Sequence, residues 1–91
     1  MIPINKFHEM ICFESGYNEP QVAKILGVKR AESLIVSPWR LSVEQIMSIS
    51  EVTEIKMERI MWLCVHDYHA SKKTAAGNIA AEVINRKILK K

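Results

Sequence analysis

Glycine is scarce in this 91-residue chain: there are three, at positions 16, 27 and 77. They stand too far apart to build a glycine-rich phosphate loop. Cysteine is scarcer still. Cys12 and Cys64 each sit between apolar neighbours, which predicts two buried thiols in a reducing compartment. A disulfide or a shared metal is the alternative for the pair. No apolar run approaches the roughly 18 residues that a membrane span needs. The start, Met1 to Lys6, lacks the basic segment and apolar run of a secretory signal, so a cytoplasmic protein with no membrane partner is expected. Strand signals are missing too. Apolar and polar residues do not alternate over any length, and no Asn-Gly hairpin occurs.

What is present is the composition of a small soluble domain. Hydrophobic residues make up 48% and charged residues 25%. The net charge of +3 is unevenly placed. Residues 1–69 hold seven basic and nine acidic side chains, or −2, while residues 70–91 hold six and one, or +5. A slightly acidic body therefore carries a basic tail. That asymmetry bears on nucleic-acid binding, because neutralised phosphates supply most of its non-specific affinity.

Helical periodicity runs through the chain. Residues 5–14 predict a first helix capped by Asn5, with Phe7, Met10 and Ile11 on its apolar face and Gly16 behind it. Asn18 and Gln21 stand at capping-box spacing and open a second helix, closed by Gly27. Pro20 is tolerated in its first turn. A third helix is expected over 29–37, stopped by Pro38. Ser42 and Gln45 form a second capping-box pair, opening a fourth helix with Val43, Ile46, Met47 and Ile49 as its buried stripe. A fifth spans about 56–70, is apolar on more than one side through Met57, Ile60, Met61, Leu63, Cys64 and Val65, and is expected to be largely buried. Trp62 is expected in the core and Trp39 partly buried. A sixth spans 74–91, with Ala76, Ile79, Ala80, Val83, Ile84 and Ile88 on one stripe and Glu82, Arg86 and Lys90 opposite. The fold class is thus all-α: a five-helix domain over 1–70 and a basic amphipathic helix over 71–91 that packs back or dimerises.

The informative stretch is Gly16 to Lys29. Two short helices meet at a tight turn at Gly27, Ala23 is small where they cross, and Val22, Leu26 and Val28 fill the space between them. This segment resembles the lambda-repressor-like helix-turn-helix family, in which a glycine, a hydrophobic residue, a polar cap, a glutamine, an alanine and a closing Gly-Val recur in this order. Glu19 replaces the usual glutamine. The resemblance continues through Leu41–Met47 and Ile49–Ile55 and covers about residues 5–65.

The resemblance implies a transcription regulator of phage or mobile-element type, acting as a repressor-like dimer on double-stranded DNA with no cofactor. The helix at 29–37 would enter the major groove, presenting Lys29, Arg30, Ala31, Glu32, Leu34 and Ile35. Backbone N–H groups near Glu19 and Gln21, and the side chain of Arg40, would hold phosphate. Ile79, Val83, Ile84 and Ile88 are the expected dimer contact. Two departures stand out. Ser33 falls where a buried aliphatic is usual, and Leu34 and Ile35 fall where polar groove-facing residues are usual. They keep open a second reading, a protein-interaction module docking through Leu34, Ile35 and Trp39. Catalysis is not expected: no nucleophile motif surrounds the serines, and His8 and Glu9 lack an acid–base partner. His66 and His69, with Cys64 or Cys12, match no strong zinc spacing and read as a polar helix end.

Overall fold

The computed structural model describes residues 5–90 of the chain, with side chains described through Ile88. The remaining residues, including Lys91 and the side chain of Lys90 in the basic tail, lie outside that description. Among the described residues every regular element is helical, and no helix is long and apolar enough to cross a membrane.

Helix α1 (Lys6–His8) starts where expected: the Asn5 side chain accepts from the His8 N–H. It then widens into a π-helical stretch (Glu9–Glu14), with Ser15 N–H donating to Met10 O five residues back. Phe7, Met10 and Ile11 are completely buried, while Phe13 turns outward and meets the His8 ring edge-on. Gly16 follows with φ +77°, the left-handed turn that redirects the chain.

Helix α2 (Glu19–Leu26) has the full reciprocal capping box between Asn18 and Gln21, and Gly27 ends it in the left-handed conformation at φ +71°. Helix α3 (Glu32–Val36) is shorter than the expected 29–37. Lys29 and Arg30 belong to the approach to it, not to the helix. A 3₁₀ turn (Pro38–Arg40) leads to α4 (Val43–Thr53), opened by the Ser42–Gln45 box. Helices α5 (Met57–Ser71) and α6 (Ala75–Lys90) complete the chain.

The core gathers Phe7, Met10, Ile11, Val22, Leu26, Ile35, Ile46, Ile49, Ile60 and Leu63. The one buried carboxylate among the described residues, Asp67, accepts from the Lys6 and Phe7 N–H groups at 3.0 and 2.8 Å. The first-turn N–H groups of α1, which have no helical acceptor, are thereby satisfied from α5. His66 Nδ1 lies 3.0 Å from the same carboxylate, so these two side chains are engaged in structure.

Helix α6 lies along α5. Gly77 sits on the inward face, where a Cβ would come within 2.6 Å of the His69 carbonyl oxygen, so only glycine permits this approach. Ala81 and Ile84 are buried and Ile88 packs against the core. This corrects the single-stripe expectation for α6. Ile84 and Ile88 are used within the chain, whereas Ile79 and Val83 point to solvent, 63% and 45% exposed. Three further expectations fail for a related reason. Val43 and Met47 on α4 are exposed, not part of the buried stripe; Trp62 on α5 is partly exposed, not core; and α5 is not largely buried, since Met61 and Val65 are exposed as well. Each helix has more apolar residues than its inward face accommodates.

Candidate nucleic-acid interface

The segment from α2 to α3 is built by side chains that reach in from elsewhere. Ala31 stands at the N-cap of α3 and offers no side-chain acceptor. The Glu19 carboxylate takes that place, accepting from the Ala31 N–H at 2.5 Å. A charge-assisted bond at a helix start is favourable because the first N–H groups point outward unpaired. At the other end, Asn5 Nδ2 donates to the carbonyls of Ile35 and Val36 at 3.0 and 3.3 Å. A five-residue helix is too short to hold itself together in water. Here it is pinned at its start from α2 and at its end from the residue that caps α1. Gln45 Nε2 also reaches Leu26 O at 3.4 Å, fastening the start of α4 to the end of α2.

The pins set the rotation of α3. Ile35 and Ala31 are fully buried, so neither is presented outward as expected; Leu34 is half-buried and packs on the core edge. Ser33, at the position where a buried aliphatic was the usual residue, is exposed instead. The apolar content of α3 faces inward, in a register different from the one that the resemblance implies. The exposed apolar patch of Leu34, Ile35 and Trp39 therefore does not form. Trp39 is half-buried and meets the Tyr68 ring edge-on at 5.6 Å.

What remains outside is polar. Glu19, Gln21, Lys24, Lys29 and Arg30 line one shallow hollow between α2 and the turn after Gly27. Lys24, Lys29, Arg30, Glu32 and Ser33 are exposed. Arg40 is exposed on the 3₁₀ turn and does not line that hollow. The Gln21 N–H is not free to hold a phosphate, since it donates to Asn18 Oδ1 at 3.0 Å. Of the expected contacts, the structure thus brings Gln21, Lys29 and Arg30 together, leaves Glu32 and Arg40 exposed outside that hollow, and gives Glu19 a cap to hold. Lys24 belongs to the same surface and was missed, although its place opposite Val22, Ala23 and Leu26 on α2 was readable from helical spacing. The second role of Asn5 leaves no local signal, because its partner lies some thirty residues away.

Of the two thiols, only Cys64 is buried as expected; Cys12 is half-buried. Burial, reinforced by the Asp67 charge, pushes the Cys64 thiol up to about 12, and burial also raises Cys12. Both thiols are free. Among the described residues no three His, Cys, Asp or Glu side chains gather as a metal site would require. No family model, no curated protein and no solved structure matches this chain.

Proposed function

We propose that the chain is a DNA-binding regulator whose α2–α3 segment acts as a helix-turn-helix of the lambda-repressor-like type, binding rather than catalysing. The observation that carries the reading is the sorting of residues around α3. Ile35 and Ala31 point inward, and Lys24, Lys29 and Arg30 share a polar hollow with Glu19 and Gln21, while Glu32 and Ser33 are exposed on α3. With α3 so short, the approach segment leads: Lys29 and Arg30 precede its first turn, and in helix-turn-helix proteins the N-terminal residues of the second helix meet the base edges. Arg30 or Lys29 supplies paired donors for a guanine edge, and Lys24 and Arg40 neutralise phosphate. Two copies on a two-fold site supply the specificity that one such short segment lacks.

The test is selection from a random duplex pool with the full chain, followed by a salt titration on the enriched site. The expected result is a palindromic motif, with affinity falling steeply as salt rises. Arg30→Ala loses about tenfold or more and relaxes the preference at one base pair. Lys24→Ala weakens all sequences alike and flattens the salt slope. Absence of binding at low salt removes the reading.

A further inference from the structure

A cavity of about 600 Å³ opens between the start of α1, the end of α3 and the last turns of α5, a volume that suits a small molecule. It is lined by the residues that fix the end of α3. Asn5 is there, its amide spent on the Ile35 and Val36 carbonyls, together with Val36 and Ser37 themselves. From α5 come His66 and Asp67. The Asp67 charge is already met by the Lys6 and Phe7 N–H groups and by His66 Nδ1, which leaves the ring Nε2 for an occupant. Val36, Trp39 and Ala70 give the cavity apolar walls, and the side chains of Lys6 and Lys73 add two ammonium groups. Glu9, which is exposed, also lines it, so the lysines outnumber the one carboxylate not held by Asp67's partners. Lys73 adds an independent sign. It sits in the turn between α5 and α6 with φ +53°, in the left-handed region that favours glycine. A lysine held there at a conformational cost points to a use for its side chain.

We infer that this cavity binds a small organic acid, a monocarboxylate with a compact apolar body. The body packs against Trp39, Val36 and Ala70, and the carboxylate meets Lys6 and Lys73 beside the His66 ring. Glu9 disfavours a second negative charge, so a dicarboxylate or a phosphate ester fits worse. Such an occupant bridges α5 to the end of α3, where Asn5 already pins it, and prefers the pinned arrangement. By linkage it holds α3 in its present rotation. The acid thereby tightens DNA binding without touching DNA; this last step rests on the DNA-binding reading, whereas the site itself does not.

The site is tested on the full chain without DNA, by titrating isotope-labelled protein with isovalerate, benzoate, phenylacetate and indole-3-acetate and following its amide resonances. At least one acid is expected to move the amides of Lys6, Val36, Ser37 and Lys73 with a Kd of about 1 mM or tighter. The uncharged amide of the same acid binds about tenfold more weakly. Lys73→Gly weakens acid binding about threefold or more, while thermal stability is kept or rises because glycine relieves the left-handed residue. Lys6→Gln weakens binding likewise and decides the matter if Lys73→Gly fails to fold. Glu9→Gln tightens it, and Lys87→Gln, on α6 outside the cavity, leaves it unchanged. Bound acid slows amide hydrogen exchange across residues 31–37. No binding of any of the four acids at about 10 mM, an amide that binds as well as its acid, shifts centred away from the cavity, or unchanged α3 exchange at saturation overturns the inference. DNA binding is read separately, and affinity for the selected site is expected to rise with saturating acid. A chain that binds acid but no DNA loses the proposed function and keeps the site; one that binds DNA but no acid loses the site alone.

Discussion

Helices α3 and α5 spend their apolar residues in opposite ways. In α3 the run Leu34-Ile35-Val36 has five residues of helix to work with, and Ile35 is buried completely. What reaches solvent there is Lys29, Arg30, Glu32 and Ser33. In α5 fifteen residues supply one inward face of Ile60, Leu63, Cys64 and Asp67, and then a second apolar row that stays outside. The short helix depends on Asn5 and Glu19 for its position, whereas the long one is stabilised by its own hydrogen bonds and by packing along much of its length. An apolar residue in the sequence therefore marks a core position in one helix and a surface in the other. The surface that a helix presents follows from how many of its sides the rest of the chain can cover.

The sharpest way to test that contrast is to truncate one aliphatic from each helix. Ile35→Ala is expected to lower stability by about 2–5 kcal/mol through lost burial and the cavity left behind. Met61→Ala, at a half-exposed site, is expected to cost under about 1 kcal/mol. Urea denaturation followed by circular dichroism separates the two; equal losses would show that α5 hides Met61 as well as α3 hides Ile35.

A smaller effect sharpens the account of α3 as a pinned element. Glu19→Ala removes the acceptor for the Ala31 N–H, and Asn5→Ala removes both the α1 cap and the donor to the α3 carbonyls. Each is expected to cost about 1–2 kcal/mol, with Asn5→Ala the larger because two roles go at once. Glu19→Gln keeps an acceptor and loses less. Amide hydrogen exchange across residues 31–37 reads the local loosening directly: faster exchange confined to α3 is expected, and unchanged exchange would mean that packing alone holds it.

The smallest effect uses the thiols. At pH 8, Cys12 is expected to react with a disulfide reagent well before Cys64, whose thiol ionises only near 12 and is buried in the inward face of α5. Both react together once the chain is unfolded. Early modification of Cys64 would mean that α5 opens away from α4 on the time scale of the reaction.

Much of the fold is legible in the residues themselves. The Asn18–Gln21 and Ser42–Gln45 boxes, the left-handed closures at Gly16 and Gly27, and the stop at Pro38 all depend on partners within a few residues. Local chemistry fixes them wherever the chain goes. The outcome at α3 was not legible, because its pins come from Asn5 and Glu19, far along the chain. The same holds for Asp67, an isolated carboxylate in an apolar helix whose partners are the N–H groups of Lys6 and Phe7. For the candidate interface, Lys29 and Arg30 were readable as exposed cations, while their place before α3 rather than in it, and the inward rotation of Ala31 and Ile35, were not.

The sequence by itself determined where α2 and α4 begin, where Gly16, Gly27 and Pro38 break the helices, that no strand competes with them, and that two cations follow Gly27, since caps, turns and charge are short-range properties. Only the tertiary structure decided which apolar rows are core and which are surface. Periodicity places a row on a helix face, but the neighbours that cover that face arrive from distant parts of the chain. Hence Ile84 is buried and Ile79 is exposed on one helix, and Val65 stands outward on α5 while Ile35 closes the core.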